Sequence, residues 1–233
     1  TFCAAFAERY AGNIAGYQIW DQPNISPNWG NGTVEPNEYV EMLAQAAPAI
    51  RKADPAAIII GGGLAPNTET GGTNLSDVTY LQEIYRRGAG DYIDVLGVKA
   101  YGFWSGPYDR TTDEQALNFS RLVLLREEMV SRGDADKSIW ILGGGWVAQE
   151  EDYTGEPSAI GADSYLIQSQ RLEQAVQRIR EEWPWVSYAC LQTAQHYGSA
   201  NDPLQGLALF NNDGSRTLLG DALVDAVTPQ QTL

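Results

Sequence analysis

Apolar residues along this chain come in short runs, and longer stretches between them repeat their apolar positions every three or four residues. The short runs lie at 16–20, 57–62 ("AIIIGG"), 93–99 ("IDVLGVK"), 138–142 ("SIWIL") and 186–192 ("VSYACLQ"). Such bounded apolar runs read as buried strands, and the longer period reads as amphipathic helix. Helices are expected at 2–10 and 36–53, the latter opening with Pro36, a residue suited to a first helical turn. Others are expected at 76–88, with Ser76 as N-cap and Gly88 near its end, and at 112–132, 162–183 (stopped by Pro184) and 218–227. Strand and helix alternating in this way predict a parallel α/β sheet with right-handed crossovers. No linker or low-complexity segment interrupts the series, so residues 1–233 read as a single domain.

The chain has 233 residues, enough for one large core. No apolar run is long enough to span a membrane. The start, Thr1-Phe2-Cys3, has neither an initiator Met nor a basic leader, so the chain reads as mature, processed or a fragment. A formal net charge of −15 opposes binding to nucleic acid and to anionic lipid. Cys3 and Cys190 stand in no metal-ligand spacing and read as free, buried thiols. With His196 as the sole histidine, multi-histidine metal sites are excluded, a Ser-His-Asp triad is disfavoured, and no cofactor or metal is expected. Sequons occur at Asn24, Asn31, Asn74 and Asn118.

In sheets of this kind ligands gather where strands end and βα loops begin. The first such end reads "YQIWDQPNISPNWG" (17–30). Further along come "PNEYVEMLAQAAPAIRKADPAAIIIGGGLAP", "YIDVLGVKAYG", "GDADKSIWILGGGW" and "GLALFNNDGSRTLLGDAL". In this order and spacing the phrases resemble clan A glycoside hydrolases, most closely the family 39 group of β-xylosidase-related (β/α)8 enzymes, from about residue 5 to 226. The resemblance implies a TIM-type (β/α)8 barrel of which this chain supplies about strands four to eight. The remaining strands would lie upstream, on another chain, or nowhere.

The resemblance also locates the chemistry. Retaining glycosidases use two carboxyl groups about 5 Å apart, one an acid/base and one a nucleophile. The family acid/base position falls on Gln22 and the nucleophile position on Gly143. An amide delivers no proton, and a glycine forms no covalent intermediate. The family Asn that touches a sugar hydroxyl becomes Asp21, and a family His becomes Lys99, with Tyr101 kept two residues on. A lysine facing Asp21 suits a carboxylate anion rather than an acid.

The implied role is that of a catalytically inactive glycosidase-like protein, serving as a scaffold or assembly subunit or as a carbohydrate-binding subunit. Asp21, Gln22, Asn24, Lys99, Tyr101, Trp104 and Trp146 are its candidate sugar contacts. Trp29, Tyr108, Tyr153 and Tyr197 also fall in loops on that side, whereas Trp20 and Trp140 lie in predicted strands and read as core. The alternative is an active hydrolase with relocated carboxylates, drawn from Asp21, Glu150 and Glu151, with Asp152 beside them. The implied partners are an oligosaccharide, a protein partner, or a missing N-terminal barrel segment covering open strand edges. Family habit implies an extracellular or cell-surface location. The triple glycines at 61–63 and 143–145 match no phosphate-loop spacing and read as packing positions.

Overall fold

The computed structural model describes residues 2–199 and 201–228. Helix α1 (Phe2–Tyr10) leads into β1 (Gly16–Ile19), α2 (Pro36–Ala53), β2 (Ile58–Leu64), a small hairpin β3 (Thr70–Gly71) and β4 (Asn74–Leu75), and α3 (Asp77–Arg86). Then follow β5 (Val95–Tyr101), α4 (Arg121–Ser131), β6 (Ser138–Gly145), α5 (Tyr165–Glu182) and β7 (Val186–Ala189). The last elements are β8 (Thr193–Gln195), β9 (Ala208–Phe210) and α6 (Leu218–Val227). The main sheet has the order β1-β2-β5-β6-β7, each new strand joining beside the last. Among the described residues no helix is long and apolar enough to cross a membrane.

The chain divides into two compact units, Thr1–Lys99 with Val123–Ile141, and Ala100–Leu122 with Leu142–Leu233. In the first, β1 pairs parallel to β2 with Gly16 opposite Ile58 and Ile19 opposite Gly61. β2 pairs parallel to β5, with a break in register between Gly61 and Leu64. Helices α1 and α2 pack together, as do α2 and α3. Tyr39, Leu43, Ile59, Tyr80, Leu81, Ile84, Met129 and Ile139 are fully buried here. In the second unit α5 packs on α6 through Leu172, Leu219 and Ala222, with Val176 and Leu223 against them. A separate aromatic layer joins Phe119 to Trp146 and to Trp183, which stacks in turn on Trp185.

Three sequence expectations change. The helix expected from residue 112 begins only at Arg121. Residues 109–120 form a loop whose backbone is held by side chains: Asp113 accepts from Gln115 N, Asn118 donates to Thr111 O, and buried Arg121 donates to Glu114 O and Ala116 O. Cys3 and Cys190 form no disulfide, but both are only partly buried. Trp20 lies just beyond the end of β1 and is 48% exposed, so it is not a core residue.

Candidate functional site

At the C-terminal end of β1 the chain turns sharply. Trp20 (φ 69°) and Gln22 (φ 53°) both adopt the left-handed region, which non-glycine residues enter at a cost of about 1–3 kcal/mol each. Between them, Asp21 presents its carboxylate to Lys99 Nζ at 3.2 Å and accepts from Gln18 Nε2 at 2.8 Å. Lys99 is buried, while the Asp21 side chain is 45% exposed. The Gln22 carboxamide faces the second Asp21 oxygen at 3.5 Å, a contact at the outer limit of hydrogen bonding.

Glycine makes room for this cluster. A Cβ on Gly63 would stand 2.6 Å from Asp21 Oδ1, and one on Gly62 would stand 2.8 Å from Pro23 Cδ. The triple glycine of β2 is therefore a packing device, required where the β1 turn lies against the irregular part of β2. Trp20 is fixed beside it: Nε1 donates to Asn28 O at 2.8 Å, and Trp29 meets its ring edge-on at 5.5 Å. Asn24 is fully buried and wholly engaged. It accepts from Ala65 N and donates to Ala65 O and Leu75 O, so it shapes the loop and does not face solvent.

In the second unit, Tyr101 ends β5 and donates to Gln192 Oε1 at 3.0 Å. Gly143 (φ 149°) and Gly145 (φ 122°) hold backbone conformations that side chains disfavour, and a Cβ on Gly144 would stand 2.1 Å from Ala100 O. The second triple glycine thus serves close strand approach. Trp146 is buried at 2% exposure, with its ring against Gly102 and Nε1 donating to Ser105 O at 2.7 Å. Burial withdraws it from the group of rings open to a ligand. Trp104 (68%), Tyr108 (39%) and Tyr197 (82%) remain exposed. Glu150 lines a cleft with Tyr165 and His196 and, together with Asp152, a smaller one; Glu151 is an exposed loop residue.

The structure therefore joins Asp21, Gln22 and Lys99 in one cluster and leaves Trp104 open. Asn24 and Trp146 have structural roles. Sequence reasoning missed Gln18, Trp20 and Gln192. The available signal for Gln18 was a lone amide within an apolar strand. Among the described residues no group of three or more His, Cys, Asp or Glu could hold a metal ion.

The sequence matches no protein-family model and no curated protein. Its fold is similar to that of several sugar-cleaving enzymes. A glucosidase from Croceicoccus marinus superposes with a TM-score of 0.67 at 17% identity, over 96% of this chain and 44% of that one. A family 128 endo-β-1,3-glucanase from Sorangium cellulosum gives 0.63 at 19%, over 98% and 77%. A family 39 glycoside hydrolase from Bacteroides cellulosilyticus gives 0.63 at 13%, over 96% and 43%. The chain thus spans less than half the length of two of these three proteins. It has the glycoside hydrolase-like TIM fold, its five parallel strands forming part of a (β/α)8 barrel equivalent to about strands four to eight.

Proposed function

We propose that this chain is a glycosidase-like barrel portion that binds carbohydrate without cleaving it. One observation carries the reading. At the strand end where the resemblance places the proton donor there is an amide, Gln22, and the adjacent carboxylate, Asp21, is held by buried Lys99 and by Gln18. Gly143 adds support, since it offers no side chain where the nucleophile is expected and its φ of 149° suits glycine alone. Exposed Trp104 offers an aromatic face of the kind that covers the apolar side of a sugar ring. From the habit of the family it resembles, we also propose a location outside the cell or on its surface.

The test has two arms. Aryl xylosides, glucosides and mannosides are expected to be released no faster than in buffer, and the double variant Gln22→Glu/Gly143→Glu is expected to stay inactive because of the backbone at 143. Calorimetric titration with xylo-, gluco- and manno-oligosaccharides should show saturable binding, weakened about tenfold by Trp104→Ala. Turnover abolished by Asp21→Asn or Glu150→Gln would instead establish a hydrolase with relocated carboxylates. No binding to any of these sugars would remove the carbohydrate reading.

A second reading, a scaffold or assembly role, is favoured by β1, which stands at one end of the sheet order. On α1 just before it, Phe2 is 79% and Phe6 37% exposed. An open strand edge beside apolar side chains is a ready site for another chain or a further barrel segment. Native mass spectrometry of the protein recovered from its source would reveal such a partner as a stoichiometric complex.

A further inference from the structure

The second unit contains a cleft of about 540 Å³ that none of Tyr101, Trp104 or Gly143 lines. Its walls include Phe210 at the end of β9, Asn212 in the turn that follows, and Glu150, Tyr165 and His196. We propose that this cleft is a separate binding site for a neutral carbohydrate, one or two sugar units of a longer chain.

Size, charge and chemistry support that ligand class. The volume falls in the range of small-molecule sites, about 300–1,000 Å³. Arg216 also lines the cleft, but its Nε lies 2.6 Å from Asp221 Oδ1, so its charge is compensated. Glu150 has no cation within ion-pair distance among the described residues, which leaves the cleft net negative and unsuited to anions. A carboxylate accepts from hydroxyl groups, and the amides of Asn212 and Gln205 both donate and accept. Burial, reinforced by the charge of Glu150, pushes the Tyr165 phenol up, so it stays protonated and able to donate. Phe210, 39% exposed, supplies a ring for the apolar face of a sugar.

The cleft is also preformed. Asn211 N donates to Ser215 O at 2.8 Å, and Gln195 Nε2 donates to Asn211 O at 2.8 Å, which fixes the turn that carries Asn212. Buried Gln168 ties the floor at Gly206 O, where a Cβ on Gly206 would stand 1.9 Å from Ala148 O. In the wall, His196 Nε2 is buried without a hydrogen-bond partner, and the carboxylate of Asp202 is 3.8 Å away.

The experiment is a titration of the ¹⁵N-labelled full chain with xylo-, cello- and manno-oligosaccharides, with an oligogalacturonate as the anionic control. The amide signals of residues 210–212 are expected to shift saturably with at least one neutral series and not with the uronate. Phe210→Ala and Glu150→Gln, both at exposed positions, should each weaken that response about fivefold or more while leaving the rest of the spectrum in place. The inference is overturned if these amides stay still, if the uronate moves them equally well, or if neither variant weakens the response. Shifts confined to residues outside this cleft would report binding elsewhere alone, and so would also overturn it.

Discussion

Asn24 spends its three side-chain hydrogen bonds on the main chain, which makes its replacement simple to account for. In Asn24→Ala, the Ala65 and Leu75 carbonyls keep a donor, because Asn67 Nδ2 reaches both at 3.2 and 3.1 Å. Ala65 N–H alone is orphaned, and it is buried. The expected loss is about 2–4 kcal/mol, read from chemical denaturation, and most of it is the cost of that one unsatisfied donor. A result below about 1 kcal/mol would mean that water replaces the side chain. At this scale the sequence identified the unusual cluster Asp21-Gln22 with Lys99, because residue type alone says that an amide cannot act as an acid. It misplaced Trp20 and Trp146 in opposite directions. Burial of a tryptophan depends on where its Cα–Cβ bond points, and at Trp20 that is set by a positive φ no pattern announces.

Among the elements, the two helices of the second unit begin with different kinds of cap. Ser164 Oγ accepts from Ile167 N at 3.3 Å and does little else. Thr217 Oγ1 accepts from Gly220 N at 3.2 Å and also donates to Ala208 O at 2.8 Å, tying α6 to β9. Ser164→Ala is therefore expected to cost about 1 kcal/mol and Thr217→Ala about 2 kcal/mol, with Thr217→Ser recovering most of the difference. Thermal melts of the three variants check the order. The same logic explains the missing first turns of α4. Residues 112–120 carry a helix-like pattern, but Asp113, Asn118 and Arg121 offer their backbone groups other partners, and short polar side chains compete with helix in this way. Arg121 sits beyond the segment it holds, so local periodicity could not reveal its effect.

Across the whole molecule, acid sensitivity draws on carboxylates held below their ordinary values, Glu83 and Asp213 among them, and most markedly on two of the second unit. Hydrogen bonds from Arg110, with Arg178 adding to them, hold Glu182 at about 2, below its ordinary 4.5. Hydrogen bonds from Thr111 hold Asp109 at about 2, below its ordinary 3.8. A depressed value means that the folded state prefers the anion. Their contribution is complete above about pH 4.5 and is lost as pH falls toward 2. Asp163, raised mainly by burial, works in the opposite sense and offsets part of this. Urea unfolding between pH 5 and 2.5 should show falling stability, with a shallower slope in Glu182→Gln and Asp109→Asn. An unchanged slope in both would show that other carboxylates govern acid unfolding.

The sequence by itself determined the alternation of strand and helix, the resemblance to sugar-cleaving barrels, and the amide Gln22 and the glycine Gly143 at the two positions where that resemblance leads one to expect glutamates, because periodicity and functional-group chemistry are local properties. The tertiary structure alone decided which residues meet. It brought Lys99 against Asp21 across a cleared Gly63, spent Asn24 and Trp146 on packing, turned Trp20 outward, and assembled a cleft from segments more than sixty residues apart. Those outcomes depend on strand register, backbone sign and the space glycine leaves, and such quantities exist only once distant parts of the chain are in contact.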